Sequence, residues 1–154
     1  MNIPKSIYPR IVIIGGGFAG ISLSKKLKNK NLKITPQRVA ILEAIYTLDN
    51  HPTAENIIQY IGKKYPNIAI GTVYKVLESF VENGLLNRVK TENNVIRYDP
   101  IVENHHHLYC SESYKIEDFE DPALDQLIED HFKKNKIKNF KIKDIKLQIS
   151  GTFK

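Results

Sequence analysis

A helix followed by a β-hairpin is encoded in the stretch Gly71-Thr-Val-Tyr-Lys-Val-Leu-Glu-Ser-Phe-Val-Glu-Asn-Gly84-Leu-Leu-Asn-Arg-Val-Lys90. Apolar residues recur at helical spacing in its first part, and the face that they define consists of Val73, Leu77, Phe80 and Val81. Gly84 suits the C-terminal cap of this helix. Residues 85–90 and 95–98 are then predicted to be strands, because the turn-forming tetrapeptide 91–94 lies between them.

Two further helices are predicted upstream. The first begins after Thr35, whose hydroxyl can accept a hydrogen bond from a first-turn N–H, and Pro36 suits the first helical position. The second begins after Thr53 and ends before Pro66. Their apolar faces are Ile41, Ala44, Ile45 and Leu48 in the first, and Ile57, Ile58 and Ile61 in the second. Three short helices and a hairpin predict a winged helix-turn-helix, in which the third helix enters the major groove of DNA.

The N-terminal half of the third helix carries side chains that we expect to meet DNA. Thr72, Tyr74 and Lys75 lie off its apolar face, and Arg38 on the first helix is expected to hold a phosphate. A half-buried packing role is the alternative for Tyr74. The charge distribution agrees with a polyanionic partner for this part: residues 1–100 carry 14 Lys+Arg against 7 Asp+Glu, whereas residues 101–154 carry 9 against 10.

Metal-binding side chains are concentrated further along, in Asn104-His-His-His-Leu-Tyr-Cys110. On a strand, alternate side chains point to the same face, so His105 and His107 could hold one ion between them while His106 faces the other side. A solvated loop is the alternative. Cys110 is the only cysteine, so this chain cannot form an intramolecular disulfide or a cysteine zinc cluster.

A separate pattern occupies residues 1–27, which resemble the N-terminus of a flavin-dependent NADH dehydrogenase. Gly15, Gly17 and Gly20 occupy the positions of a G-x-G-x-x-G turn, where glycine lets the backbone approach a pyrophosphate. The second strand and the acidic residue that such a site needs about 20 positions later are missing. A dinucleotide-binding oxidoreductase fragment is therefore the less favoured alternative. We expect residues 1–18 to be an atypical extension, followed by an amphipathic helix over residues 20–29.

Five motifs, in order, are similar to those of the ferric uptake regulator family. They are Leu-Lys-Ile-Thr-Pro-Gln-Arg (32–38), His-Pro-Thr-Ala-Glu (51–55), Gly-Thr-Val-Tyr-Lys-Val-Leu (71–77), Arg-Tyr-Asp (97–99) and His-His-His-Leu-Tyr-Cys (105–110). The resemblance covers about residues 22–154. It implies a bacterial metal-dependent repressor that binds a double-stranded DNA operator as a homodimer and is not an enzyme. The implied fold is α+β: a winged-helix DNA-binding domain at residues 19–100, then a small α/β metal-binding dimerisation domain at residues 101–154.

Carried over by position, the family's regulatory metal site falls on His51, Asp99, His105, His107 and Asp118. Because these ligands come from both domains, the ion would favour the domain arrangement in which it binds. Mixed nitrogen and oxygen ligands suit Fe²⁺, Mn²⁺ or Zn²⁺. Asp118 stands where iron-sensing members more often carry glutamate, which raises a second possibility besides plain metal sensing. In peroxide-sensing members, bound ferrous iron reacts with hydrogen peroxide and a ligand histidine is oxidised.

The chain also departs from the family pattern. Many members hold a structural zinc with two Cys-x-x-Cys pairs, but Ser113 follows Cys110 here and no second pair is present, so we expect no structural zinc held by four cysteines. Cys110 is then expected to be a small buried apolar residue. A further family site could use His106 and Asp125, although the remaining histidine expected in the last strand is missing. A metal-independent winged-helix regulator is the rival on the same fold.

The C-terminal part indicates a homodimer. Its apolar helical stripe consists of Leu124, Leu127, Ile128 and Phe132. About 50 residues with so few apolar side chains would bury too small a core alone, so a partner subunit is the expected cover. No apolar run approaches the roughly 20 residues that span a bilayer, and no signal peptide is recognisable. We therefore expect a cytoplasmic protein without membrane contact.

Overall fold

The fold belongs to the α+β class. The computed structural model describes residues 18–49, 51–91 and 94–153, and the chain divides between Val102 and Glu103 into two compact units. The first unit contains α1 (Phe18–Asn29), α2 (Pro36–Leu48), α3 (Ala54–Lys64), α4 (Ile70–Glu82), β1 (Asn87–Lys90) and β2 (Ile96–Asp99). The second contains β3 (His106–Cys110), β4 (Ile116–Phe119), α5 (Pro122–Lys134) and β5 (Gln148–Gly151). Among the described helices, none has the length and apolar character that crossing a bilayer requires.

The four helices of the first unit pack their apolar faces into one core. The buried side chains that α2 and α4 contribute are Val39, Ala40, Ile41, Leu42, Ala44 and Ile45 from α2, and Val73, Val76, Leu77 and Phe80 from α4. The amphipathic helix predicted over residues 20–29 is confirmed, since Leu23 and Leu27 of α1 are buried in the same core. Three residues predicted to face inward are only partly buried, at the rim of this core: Leu48, Ile58 and Val81.

The predicted ends of the helices are confirmed by their caps. The Thr35 hydroxyl accepts a hydrogen bond from the backbone N–H of Arg38 at 3.3 Å. The Thr53 hydroxyl accepts one from the N–H of Asn56 at 3.2 Å, and the Asn56 side chain in turn accepts one from the N–H of Thr53 at 3.0 Å. Gly84 follows α4 with a φ of 63°, a conformation that glycine adopts without a Cβ penalty.

The predicted hairpin is present, with β1 and β2 antiparallel. Its first strand is shorter than the predicted 85–90, because Leu85 and Leu86 are buried in the helical core and do not belong to the strand. The predicted turn at 91–94 lies partly outside the described residues. On its described side, the Thr91 hydroxyl donates a hydrogen bond to the carbonyl of Val95 at 2.9 Å.

The glycine turn predicted near the N-terminus lies mostly outside the described residues. Gly15 and Gly17 are not among them, nor are residues 1–17 of the predicted extension. Gly20 belongs to α1.

The second unit is a three-stranded sheet in the order β4-β3-β5 with one helix. Strand β3 is antiparallel to β4 and parallel to β5. Helix α5 begins at Pro122, and the Asp121 carboxylate caps it by accepting hydrogen bonds from two first-turn N–H groups. Among the described residues of this unit, Cys110 and Ile116 are the only buried apolar side chains, and α5 has no buried residue. This unit therefore has little apolar core of its own.

Candidate metal centre and DNA-facing residues

Three of the predicted ligands converge on one face of the β3–β4 pair. Nε2 of His105 lies 3.0 Å from Nε2 of His107. Asp118 pairs with His107 in the antiparallel register, and its Oδ1 lies 3.3 Å from His105 Nε2 and 3.6 Å from His107 Nε2. Two nitrogens that each bind one ion at about 2.1 Å lie about 3.0–3.4 Å apart at octahedral to tetrahedral angles. The three side chains therefore fit a single divalent ion.

The protonation pattern of His105 also suits metal binding. Its Nδ1 lies 2.8 Å from the backbone carbonyl oxygen of Glu103. A carbonyl can only accept, so Nδ1 carries the proton of the neutral ring and Nε2 keeps a lone pair. That lone pair is on the side where His107 and Asp118 lie. A hydrogen bond from the second ring nitrogen to a carbonyl is the usual way in which proteins orient a metal-binding histidine.

The other two predicted ligands are neighbours in the first unit. Nε2 of His51 lies 3.9 Å from Oδ1 of Asp99. The carbonyl of His51 accepts a hydrogen bond from the Arg97 guanidinium at 3.1 Å, and the N–H of Tyr98 donates to the carbonyl of Pro52 at 3.0 Å. These bonds hold the segment before α3 alongside β2, and β2 ends at Asp99. The backbone of His51 has a φ of 53°, in the left-handed region that histidine adopts more readily than most residues.

Asp99 is a fully buried carboxylate, with 0% of its surface exposed. Its Oδ1 accepts a hydrogen bond from the N–H of Ile101 at 2.7 Å. Burial of a carboxylate is costly unless hydrogen bonds or a cation compensate its charge. A carboxylate beside an imidazole is a donor pair that divalent transition metals accept.

His106 points away from this face, as strand alternation predicts. Its Nε2 lies 3.0 Å from Oδ1 of Asp125 on α5. Its Nδ1 accepts a hydrogen bond from the backbone N–H of Leu147 at 3.2 Å. The structure thus brings together His106 and Asp125, the two residues predicted for a second metal site. The other ring nitrogen of His106, however, is hydrogen-bonded to the backbone N–H of Leu147.

Cys110 is buried, as predicted, yet it does not behave as a purely apolar side chain. Its sulfur accepts a hydrogen bond from the N–H of Ser113 at 3.4 Å. Hydrogen bonding from the Ser113 side chain first, and from its backbone second, lowers the pKa of the Cys110 thiol to about 7.

The residues predicted to face DNA occupy different environments. Tyr74 is 46% exposed and Lys75 is exposed, whereas Thr72 is half-buried. Arg38 is half-buried, and its guanidinium donates to the carbonyl of Lys33 at 2.9 Å and to the hydroxyl of Ser79 at 3.4 Å. Arg38 therefore also links α2 to α4.

Sequence reasoning did not single out the groups that orient the histidines. Arg97 belongs to the Arg-Tyr-Asp motif, which does not indicate its bond to His51, and the carbonyl of Glu103 and the N–H of Leu147 are backbone groups that carry no side-chain pattern. For Arg97 a usable clue was a basic residue two positions before Asp99 on a strand, where it faces the same way as that carboxylate.

Comparison with known proteins identifies the family. The model described as "Ferric uptake regulator family" matches residues 29–150. The peroxide operon regulator of Bacillus subtilis is 35% identical over 127 residues, which are 81% of this chain and 84% of that protein.

Two solved structures have a similar fold. The ferric uptake regulator of Helicobacter pylori, described as having three functional metal-binding sites, matches with a TM-score of 0.66 and 25% identity and covers 86% of this chain and 89% of its own. The Campylobacter jejuni peroxide stress regulator matches with a TM-score of 0.63 and 27% identity, over 86% of this chain and 94% of its own.

The family match begins at residue 29. The resemblance of residues 1–27 to a flavin-dependent NADH dehydrogenase therefore gains no support from it, whereas the five motifs from Leu32 to Cys110 all lie inside the matched range. The chain belongs to the ferric uptake regulator family and is a metal-dependent transcriptional repressor, not an enzyme.

Proposed function

We propose that this repressor is controlled by one divalent ion held by His51, Asp99, His105, His107 and Asp118, and that peroxide relieves repression by oxidising a ligand. The observation that carries the proposal is the convergence of the His105 and His107 Nε2 atoms with the Asp118 carboxylate. The hydrogen bond from His105 Nδ1 to a carbonyl supports it further, because the Nε2 lone pair is then available to an ion.

The ligand set links the ion to DNA binding. His51 and Asp99 lie in the unit that carries α4, and the other three ligands lie in the second unit. An ion that takes ligands from both units favours the arrangement of the units in which it binds, and by linkage that arrangement favours the ion. Metal binding is then a switch between arrangements that bind an operator well and arrangements that bind it poorly.

The donor types limit the choice of ion. Three imidazole nitrogens and two carboxylates suit Fe²⁺, Mn²⁺ and Zn²⁺, whereas Ca²⁺ and Mg²⁺ prefer sites made only of oxygen ligands. Regulation by peroxide requires the ferrous form, because zinc has no redox chemistry at this site.

The peroxide response rests on the relatives and on Asp118. The Bacillus subtilis relative is a peroxide operon regulator, and the Campylobacter jejuni neighbour is a peroxide stress regulator. Bound ferrous iron would supply the electrons that activate hydrogen peroxide. In the net reaction the ring of a ligand histidine gains one oxygen atom from the peroxide, and the other oxygen leaves as water. An oxidised ring is a poorer ligand, so the ion and the DNA are released.

The exposed part of α4 is proposed to read DNA in the winged-helix manner. Its buried face is turned to the core, so Tyr74 and Lys75 remain accessible to a duplex. Thr72 is close enough to the start of the helix to meet the same groove. Arg38 is proposed as a phosphate contact, although its guanidinium also supports the packing of α2 on α4.

A homodimer is proposed through the second unit. Large apolar side chains are exposed along α5 and the segment after it, namely Leu127, Ile137, Phe140, Ile149 and Phe153. Together with the small apolar core of this unit, they support the proposal that a second copy covers this surface. Two-fold symmetry then predicts a pseudo-palindromic operator.

The metal switch can be tested with duplex DNA selected from a random pool by the manganese-loaded protein. Affinity for this DNA is expected to fall at least about tenfold in chelator, which corresponds to about 1.4 kcal/mol of coupling. His51→Ala should abolish the effect of manganese. His131→Ala is the matched control, because His131 is an exposed histidine on α5. Equal affinity of the parent with and without chelator would identify a metal-independent regulator instead.

The peroxide response can be tested by peptide mass spectrometry. After hydrogen peroxide treatment of the ferrous protein, an added oxygen is expected on the peptide that contains His105 and His107 or on the one that contains His51. The peptide that contains His131 should be unchanged. The manganese-loaded protein is a second control. If none of the ligand peptides gains oxygen while DNA is still released, plain metal sensing is the correct function.

The DNA-facing residues can be tested through salt dependence. Lys75→Gln is expected to weaken binding to all duplexes and to reduce the slope of log affinity against log salt by about one. Lys63→Gln is the control, because Lys63 is an exposed lysine on α3. An unchanged slope for Lys75→Gln would remove this residue from the interface.

A further inference from the structure

The adjacent histidines His105 and His106 hold their protons on different ring nitrogens. His105 Nδ1 faces a carbonyl oxygen, which only accepts, and must therefore donate. His106 Nδ1 faces the backbone N–H of Leu147, which only donates, and must therefore accept. The proton of the neutral His106 ring accordingly lies on Nε2, which donates to Oδ1 of Asp125 at 3.0 Å.

This arrangement does not fit the second metal site that the family resemblance suggests for His106 and Asp125. An ion at His106 Nε2 would need the lone pair of that nitrogen, so the ring proton would have to move to Nδ1. It would then point at the N–H of Leu147, and two donors would face each other across 3.2 Å. The Asp125 side chain is half exposed, and its carboxylate already accepts the hydrogen bond from the His106 ring.

The same bonds give these residues a structural role. Leu147 is tied to β3 at both of its backbone groups: its N–H donates to His106 and its carbonyl accepts from the N–H of His107 at 3.1 Å. The next residue, Gln148, begins β5 in register with His107. Asp125 ties α5 to the same histidine. Among the described residues, α5 has no fully buried side chain, so a polar bond of this kind contributes to holding it on the sheet.

We infer that His106, Asp125 and the backbone of Leu147 form a metal-free clamp that holds α5 and the start of β5 on the back of β3. The clamp takes the place of a second ion in this chain. It is independent of the proposed function, because it concerns the opposite face of the strand.

Asp125→Asn separates the clamp from a metal site. An asparagine oxygen can still accept from His106 Nε2, but the amide is a much poorer metal ligand than the carboxylate. Protein that is loaded with excess zinc and then gel-filtered should retain about one ion per protomer, because only the ligand set on the other face of β3 then binds zinc. The clamp predicts the same count for Asp125→Asn and His106→Gln. Two ions in the parent, with one lost in both variants, would overturn it.

The ring nitrogens provide an independent readout. In ¹⁵N-labelled protein, His106 should show an unprotonated Nδ1 and a protonated Nε2, and zinc should not change this pattern. His105 should show the opposite pattern and should respond to zinc if the proposed function is correct. A His106 Nε2 resonance that loses its proton on zinc addition would overturn the clamp and would leave the proposed function untouched.

Removal of the ring tests the structural role. His106→Ala is expected to lower the midpoint of thermal unfolding of the metal-free protein by roughly 5 °C, since a buried ring and its two partly buried hydrogen bonds are lost. Asp125→Asn should lower it far less, because one hydrogen bond is kept. His131→Ala is the control for removal of a histidine from the surface. An unchanged midpoint for His106→Ala would overturn the clamp.

Discussion

At the scale of single residues, the backbone around each histidine determines its role. Alternation along β3 places His105 and His107 on one face and His106 on the other, and this could be expected from the sequence. Which nitrogen of each ring carries the proton could not be expected. It depends on a carbonyl two residues before His105 and on an N–H 41 residues after His106.

The stability that Tyr65 contributes to the folded state is expected to depend on pH. Its hydroxyl donates to Glu43 at 2.5 Å, and burial first and this bond second raise the pKa of Tyr65 to about 12. The folded state thus holds the proton more tightly than the unfolded chain, in which a tyrosine has a pKa of about 10. The resulting stability is complete below about pH 10 and is lost as the pH rises through about 12.

Tyr65→Phe is therefore expected to lower the free energy of unfolding by about 1 kcal/mol near pH 8. The difference from the parent should shrink above about pH 10. Urea unfolding at a series of pH values measures it, with Tyr46→Phe as a control at a more exposed tyrosine. A difference that is constant across the series would contradict the assigned bond.

At the scale of elements, the cap of α3 also supports His51, the proposed metal ligand that precedes it. Thr53 and Asn56 exchange hydrogen bonds in a capping box, and Thr53 forms an isolated bridge to Arg97 of β2. Thr53→Ala is expected to destabilise the protein by about 1 kcal/mol, whereas Thr53→Ser, which keeps the hydroxyl, should cost much less. Chemical unfolding of the metal-free proteins measures both. Equal losses for alanine and serine would show that the methyl group, and not the cap, matters.

The elements were predictable to the extent that they depend on local signals. Threonine caps and proline positions predicted the starts of α2 and α3 and the stop of α3 before Pro66, and Gly84 marked the end of α4. The first strand of the hairpin was overpredicted at Leu85 and Leu86. Those residues are apolar because they complete the helical core, and local patterns do not distinguish that from strand pairing.

At the scale of the whole molecule, the second unit buries few apolar side chains, and we propose that a second copy of the chain covers it. Leu127 is 69% exposed on α5. Leu127→Asp is expected to raise the dimer dissociation constant by more than about tenfold, since burial of a leucine contributes about 1.5–3 kcal/mol. Gln126→Asp is the matched control, because it adds the same charge one position away. Sedimentation equilibrium of the metal-loaded proteins measures both, and unchanged association of Leu127→Asp would place the interface elsewhere.

The sequence by itself determined the helices, the hairpin, the family and the residue types of the candidate metal site, because each of these follows from local spacing or from motifs in order. The pairing of Asp118 with His107, the placement of His51 beside Asp99 and the proton positions on His105 and His106 were decided only by the tertiary structure. These features join groups that are distant in the chain. A strand register or a hydrogen bond to a remote backbone group has no pattern in the local sequence.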